Sequence, residues 1–255
     1  MSNLMKAELF KLRRNKTFIV LMLFIFGLST LLHSLIVTEW WYMTGTPFEL
    51  ANLNELNVLI FFTVPLFFNF IVSTLAGFFI ATEFTQNNAI KNEMISGNKR
   101  SQIFIAKYCV FTVGALITTI VLPLVSAIVV VKLVGTNDVL SAESLIYLGK
   151  SYSLFTIHFL SFTAIVLLFA IWTEDSGRTI LFTLVLSIAM FLVEKFVTNE
   201  FVKTIYENTF FSQFTESFKY TMTDDEIVKS IVIGVVSFIL IMLFGIVTFH
   251  KKEVK

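Results

Sequence analysis

Hydrophobic residues occur in long runs in this chain and do not alternate with polar ones. Six apolar stretches that contain no Asp, Glu, Lys or Arg are 22, 27, 24, 23, 15 and 21 residues long. A helix needs about 20 apolar residues to cross roughly 30 Å of hydrocarbon, so only the fifth stretch is short. The pattern predicts six transmembrane helices, over residues 18–37, 57–82, 108–131, 151–173, 179–195 and 227–249.

Composition agrees with a membrane protein. Of the 255 residues, 56% are hydrophobic, 15% are charged and 30 are Phe, and the mean hydropathy is +0.83. A soluble domain typically has about 25% charged residues. These values exclude a soluble enzyme, a disordered chain and a nucleic-acid binder. We expect an all-α integral membrane protein with one transmembrane domain over residues 1–255.

The distribution of basic residues predicts the orientation. With six spans, both termini lie on one side of the membrane, and that side carries 13 of the 19 Lys and Arg residues. Lys and Arg stay in the cytoplasm when a protein inserts. Both termini are therefore predicted to be cytoplasmic, and the segments 83–107 and 194–229 are predicted to lie inside and outside, respectively.

The outer segment 194–229 contains a helical pattern although it is too polar to span. Phe210, Phe214 and Phe218 recur at four-residue spacing, as expected for short re-entrant or interfacial helices before the last span. Thr223 and Glu226 have the spacing of a capping box. The last helix is therefore predicted to begin there.

The first sixteen residues predict an amphipathic interface helix on the inner side. Met5, Leu9 and Leu12 share one narrow face of that helix, whereas Arg13 and Arg14 lie elsewhere on it. Such a helix suits a basic anchor on anionic lipid. A docking surface for a partner protein is the alternative.

The inner segment after the second span is longer than a simple connection requires. A helix from about Asn87 to Ile95 would present Ile90 and Met94 to water, and Gly97 is placed to end it. Apolar side chains exposed to water favour burial against another surface, such as a partner protein or the membrane. The pattern therefore favours docking of a soluble partner over a helix that only lies at the interface.

Signals for catalysis are weak. His33, His158 and His250 have no metal-ligand spacing, and no phosphate loop occurs. The five long runs contain no Asp, Glu, Lys or Arg, whereas ion-coupled transporters keep such residues at membrane depth. We expect no catalytic, cofactor or metal site in this chain, and any driving force for transport would come from another subunit.

Six spans, the basic start Met5–Lys16 and the stretch Glu83–Lys107 together resemble the membrane subunits of type-two ABC exporters. The chain is most similar to small permeases of bacitracin and lantibiotic export or immunity, and its character also resembles permeases that export phenol-soluble modulins. The resemblance implies an ATPase-coupling interface that includes Glu83, Phe84, Ile90, Lys91, Met94, Ile95, Gly97, Lys99 and Arg100.

The resemblance also implies the partners. These are a cytoplasmic ABC ATPase that binds ATP and Mg, a second permease that is a copy or a paralogue, and an amphipathic peptide cargo. The location would be the bacterial plasma membrane, in contact with membrane lipid. A membrane immunity protein that binds a toxin without transporting it is the first alternative. An intramembrane enzyme is the second, and it would need paired carboxylates or a His cluster at membrane depth.

Overall fold

The computed structural model describes residues 1–85, 89–135 and 141–252. Their regular structure is helical, with no strand among them. The α-helices are α1 Ser2–Arg14, α2 Lys16–Val37, α3 Pro47–Leu50, α4 Leu59–Thr63, α5 Pro65–Ala76, α6 Thr82–Thr85, α7 Ala89–Ile95, α8 Arg100–Leu116, α9 Leu122–Val134, α10 Ala142–Thr173, α11 Ser176–Phe196, α12 Glu200–Glu207, α13 Gln213–Glu216 and α14 Asp224–Lys251.

Six helices in the described part of the chain are long and apolar enough to cross a membrane. They are Lys16–Val37, Pro65–Phe84, Arg100–Val134, Ala142–Thr173, Ser176–Phe196 and Asp224–Lys251. The prediction of an all-α membrane protein with six spans is therefore confirmed. The helix of the short fifth run, Ser176–Phe196, extends beyond the uncharged stretch at both ends. At its start, Asp175 caps the helix by accepting a hydrogen bond from the Arg178 amide.

The second apolar run is divided near its start. Val64 is extended, and Pro65 is the first residue of α5. A residue before proline is pushed out of the helical region, and proline is favoured at the first helical position. The predicted span over 57–82 is therefore a short helix α4 followed by the long helix Pro65–Phe84, which continues beyond the predicted end.

Two of the long helices contain a π-helical turn. Gly77–Ala81 joins α5 to α6, and Ile117–Val121 joins α8 to α9. Pro123 lies two residues after the end of the second turn, and proline lacks an amide hydrogen and disturbs the helical ladder. At the first turn, a Cβ on Gly77 would lie 3.1 Å from the backbone of Ser176, so the missing side chain lets α11 pack closely.

Phenylalanine side chains form the centre of the bundle. Phe68 of α5 contacts Phe159 and Phe162 of α10 at ring-centre distances of 5.5 and 4.9 Å. Phe214 of α13 enters the same cluster, 5.0 Å from Phe68. The segment 194–229 does contain short helices, as predicted. Its aromatic face packs into the protein itself, since Phe210, Phe214 and Phe218 are buried.

Small polar side chains join the long helices inside the bundle. The Ser126 hydroxyl of α9 donates to the Ser29 hydroxyl of α2 at 2.6 Å. His158 of α10 hydrogen-bonds the Ser230 hydroxyl of α14 at 2.8 Å. These histidine and serine side chains therefore act in helix contacts, as is usual in a bilayer.

The two ends of the described chain lie at the same end of the bundle. Arg100, the first residue of α8, donates to the carbonyl of His250 at 2.8 Å, and Lys107, two turns further along α8, binds Glu8 of α1 at 2.9 Å. We call this the terminal end of the bundle. It contains the predicted inner segments.

Candidate functional site

A cluster of five charged side chains lies at the terminal end of the bundle. Its members come from four helices: Glu8 and Lys11 from α1, Glu83 from α6, Glu93 from α7 and Lys107 from α8. We refer to it as the ionic cluster. It joins the N-terminal helix, the end of the second long helix, the short helix α7 and the third long helix.

Both lysines in the ionic cluster contact all three carboxylates. The Lys107 ammonium lies 2.9 Å from Glu8 and 3.5 Å from Glu93, and it also contacts Glu83. The Lys11 ammonium lies 2.7 Å from Glu83 and 3.0 Å from Glu93, and it also contacts Glu8. No one of these helices can move away without breaking several ion pairs.

Three members of the cluster, Glu8, Glu83 and Lys107, are buried in the protein, and Lys11 and Glu93 are half-buried. Glu8 is 0% exposed and Lys107 is 1% exposed, and withdrawing such charges from water costs several kcal/mol per ion unless they are paired. Burial alone would lower the pKa of Lys11, but the carboxylates of Glu83 and Glu8 outweigh burial and hold that pKa above its ordinary value. Lys11 therefore carries its charge at neutral pH.

The cluster has three carboxylates and two ammonium groups. Glu8, Glu83 and Glu93 each offer an oxygen within 4.8 Å of the others, close enough to ligate one metal ion. Lys11 and Lys107 point their ammonium groups at these same carboxylates. The lysines therefore already supply the positive charge that a metal would bring, and the arrangement fits an ion-pair network.

Helix α1 packs on the bundle through a face that the sequence pattern did not identify. Leu4, Glu8 and Leu12 are buried, whereas Leu9 is 41% exposed. Leu12 packs on Gly114 of α8, where a Cβ would lie 3.1 Å from the leucine side chain. Of the residues predicted to face lipid or a partner, Leu12 is therefore placed wrongly, whereas Leu9 stays exposed. The Glu8 carboxylate can lie on the buried side because Lys11 and Lys107 neutralise it.

The remaining residues proposed for the α1 surface lie outside the bundle or at its edge. Arg13 and Arg14 are exposed, and Met5 is half-buried. The Arg14 guanidinium lies 4.4 Å from the ring centre of Phe10, which is itself 55% exposed. The outer face of α1 is thus basic and aromatic, which remains compatible with either lipid or protein contact.

Helix α7 ends as the sequence predicts. Gly97 has a φ of +84°, a conformation that glycine adopts at little cost. The Gly97 amide donates to the carbonyl of Met94 at 3.0 Å, and the Asn98 amide donates to that of Glu93 at 3.4 Å, a helix-ending pattern. The predicted starting residue, Asn87, lies outside the described residues, as does the rest of 86–88.

The exposed face of α7 is not the predicted one. Ile90 is 1% exposed and Met94 packs against the core, so the expectation that these two side chains face water is wrong. Glu93 turns this face inward because it binds the two lysines of the ionic cluster. The exposed side chains of α7 and of the turn after it are Lys91, Asn92, Ile95, Ser96 and Lys99, and Ile95 is 75% exposed.

Arg100 is used inside the chain. It donates to the carbonyls of Phe249 and His250 at 3.4 and 2.8 Å, as suits a cation at a helix C-terminus. These contacts engage Arg100 within the chain and do not support its expected place in the ATPase-coupling interface. Phe84 is similarly engaged, with the Lys252 ammonium 5.3 Å from its ring centre.

Sequence reasoning did not identify Glu8, Glu93 and Lys107 as one site. One signal was present, since Leu4, Glu8 and Leu12 recur at four-residue spacing, which places an acid in an apolar stripe. An acid in such a stripe needs a buried partner. Nothing in the spacing identifies Lys107, 99 residues away, as that partner.

Comparison with known families adds an independent observation. A family model described as ABC-2 family transporter protein matches residues 4–190. The match includes α1 from its third residue onward, the whole ionic cluster and α7. No curated protein and no solved structure matches the chain.

Proposed function

Because this chain belongs to the ABC-2 family of transporter proteins and is a membrane permease of an ABC exporter, we propose that a separate ATPase subunit drives it through α7 and the ionic cluster. The observation that carries this proposal is the connection of α7 to two long helices through one buried set of ion pairs. The permease would supply the path through the membrane. The ATPase would bind ATP and Mg.

The exposed side of α7 is the proposed docking surface. Lys91, Asn92, Ile95, Ser96 and Lys99 are exposed there, so one apolar side chain lies among two basic and two neutral polar ones. An apolar anchor that enters a pocket often contributes about 2 kcal/mol or more to binding, whereas charges at a rim mainly set orientation and rate. The partner would therefore offer an apolar pocket with an acidic rim.

Motion at α7 would reach the long helices through Glu93. This carboxylate lies 3.0 Å from the Lys11 ammonium and 3.5 Å from that of Lys107, so a shift of α7 pulls on α1 and α8 together. Two sites are coupled only when each state makes different contacts. The ion pairs of the cluster are contacts that such a shift would change.

The remaining parts of the proposal concern orientation, cargo and assembly. Both termini would lie in the cytoplasm of a bacterium, which places the ionic cluster on the ATPase side. The charge-free runs suit an amphipathic or hydrophobic cargo, and we favour a peptide such as a toxin or antimicrobial peptide. A second permease, either a copy or a paralogue, would complete the pathway.

Purification from native membranes in a mild detergent tests the proposal. A tagged chain should co-purify with an ABC ATPase, and the complex should hydrolyse ATP, whereas the chain stripped of other polypeptides should not. ATP hydrolysis by the stripped chain would contradict the proposal. Cargo export by cells whose partner ATPase carries an inactive ATP site would contradict it equally.

A further inference from the structure

The exposed side of α1 carries positive charge and no negative charge. Lys6, Leu9, Phe10, Arg13 and Arg14 are exposed there, and at about 100° per residue they fall within one arc of about 140°. The acid of this helix is buried on the opposite side, in the ionic cluster. We call these five exposed residues the basic face of α1.

Both arginines of the basic face are free to bind an anion. Neither guanidinium forms an ion pair or a hydrogen bond with any other residue that the structure describes. The Arg14 guanidinium lies 4.4 Å from the ring centre of Phe10, and stacking on an aromatic ring leaves the N–H groups at the guanidinium edge open. That planar edge fits the oxygens of a phosphate group.

The basic face lies where the chain enters the membrane. Asn15 is the single residue between α1 and the long helix α2, and it caps α2 by accepting a hydrogen bond from the Phe18 amide at 3.0 Å. The first turns of α2 expose Ile19, Val20 and Leu23, which face lipid chains in a spanning helix. The two arginines precede these side chains by about two helical turns, so they lie at the level of the lipid headgroups.

No nearby acid cancels the charge of the basic face. Glu83 and Glu93 are engaged by the two lysines of the ionic cluster. In the described parts of the terminal end, the one exposed acid is Asp175. It caps α11 by accepting a hydrogen bond from the amide of Arg178, whose own side chain is exposed. The surface around α1 is therefore electropositive.

We propose that the basic face of α1 binds the phosphate headgroup of an anionic phospholipid, with Leu9 and Phe10 inserted among the acyl chains. Charge complementarity favours an anionic lipid over a zwitterionic one. The two apolar side chains, continuous with the lipid-facing start of α2, favour a membrane over a soluble protein. Helix α1 is then held between the ionic cluster on one side and the lipid leaflet on the other.

The first test removes two charges. Wild-type protein is placed in nanodiscs of equal phosphatidylglycerol and phosphatidylcholine, extracted, and examined by native mass spectrometry for retained lipid. A basic residue near an anionic surface strengthens binding roughly fivefold, so Arg13→Gln with Arg14→Gln should reduce the ratio of retained phosphatidylglycerol to phosphatidylcholine by at least that factor. Lys91→Gln with Lys99→Gln removes the same charge from α7 and the turn after it. This matched control should keep the wild-type ratio.

The second test measures where the basic face lies. In a Cys109→Ser background, a fluorophore attached through Phe10→Cys should be quenched by nitroxide-labelled phospholipid. A fluorophore attached through Ser96→Cys, in the exposed turn after α7, should be quenched by a water-soluble quencher instead.

Three results would overturn the proposal. The first is an unchanged lipid ratio after the two arginine substitutions. The second is a fluorophore at position 10 that responds only to the water-soluble quencher. The third is a variant with both arginine substitutions that loses a co-purifying ATPase while its lipid ratio is unchanged, because the basic face would then bind a protein.

Discussion

The ammonium group of Lys107 lies 2.9 Å from a carboxylate oxygen of Glu8, and 99 residues separate the two along the chain. Both side chains are buried. A buried ion pair adds little net stability over apolar packing, but the loss of one partner leaves an uncompensated charge. We therefore expect this pair to fix the position of α1 on α8, and with it the position of Glu93 and α7.

Removing the lysine should be costly. We expect Lys107→Met to lower the free energy of unfolding by about 3–5 kcal/mol, because it leaves three buried carboxylates with one lysine. Lys203→Met, at a side chain that is 66% exposed, should change it by no more than about 0.5 kcal/mol. Denaturant unfolding in detergent micelles measures both. Equal effects of the two variants would show that the ionic cluster is not buried in the protein.

The pH dependence of Lys11 follows from its raised pKa. The pKa of Lys11 in the folded protein lies above the ordinary lysine value of 10.5. The stabilising charge is therefore fully present below about pH 10.5 and is lost only as the pH rises through the folded value. The stability difference between wild type and Lys11→Met should thus stay constant from pH 7 to about pH 10. A decline of that difference between pH 7 and 9 would mean that the carboxylates do not hold the proton on Lys11.

Substitutions of Phe214 and Phe201 test where the segment 194–229 packs. Phe214 is 1% exposed inside the bundle, whereas Phe201 is 73% exposed. Phe214→Ala should cost about 3–5 kcal/mol of stability, and Phe201→Ala should change stability little. Thermal unfolding of the two variants in the same detergent gives the comparison. The reverse order of effects would place the aromatic face of this segment in the membrane.

Orientation can be measured by thiol labelling. In a Cys109→Ser background, Thr215→Cys should react with a membrane-impermeant reagent on intact cells, and Ser96→Cys should react only after the cells are permeabilised. The side chains of Thr215 and Ser96 are both exposed, so a thiol at either position is accessible to the reagent. The opposite pattern would place the ionic cluster outside the cell and remove the basis for ATPase coupling there.

The sequence predicted features that depend on local chemistry. The six apolar runs lie in six long helices. The sequence could predict them because the length of an apolar run indicates whether its helix can cross a membrane. The Thr223 hydroxyl accepts a hydrogen bond from the Glu226 amide at 3.3 Å, and the Glu226 carboxylate accepts one from the Thr223 amide at 2.8 Å. Capping boxes and helix-ending glycines need only neighbouring residues, so their patterns can be recognised without a tertiary structure.

Features that depend on tertiary contacts were missed. Ile90 was expected in water, but the ion pairs of Glu93 turn this side of α7 toward the protein. Leu12 was expected on a surface for lipid or a partner, but it packs in the bundle beside Glu8, since lysines from two helices neutralise the Glu8 carboxylate. Glu93 and Glu8 are charged and therefore look like surface residues in the sequence. In the fold they face the protein, because lysines from other helices neutralise them.

The most direct test of ATPase coupling compares two exposed isoleucines. Ile95 of α7 is 75% exposed and Ile205 of α12 is 53% exposed, and the two lie on predicted opposite sides of the membrane. Ile95→Asp should weaken binding of the ATPase by about 2 kcal/mol, or roughly 30-fold, while Ile205→Asp should not affect it. Neither substitution changes the core, so both variants should reach the membrane in wild-type amounts.

The measurement is the amount of ATPase that co-purifies with each variant, divided by the amount of permease in the membrane. The account predicts loss of the ATPase with Ile95→Asp and wild-type retention with Ile205→Asp. Equal retention by both variants would contradict it, because α7 would then lie at the membrane surface without docking the subunit that supplies the energy.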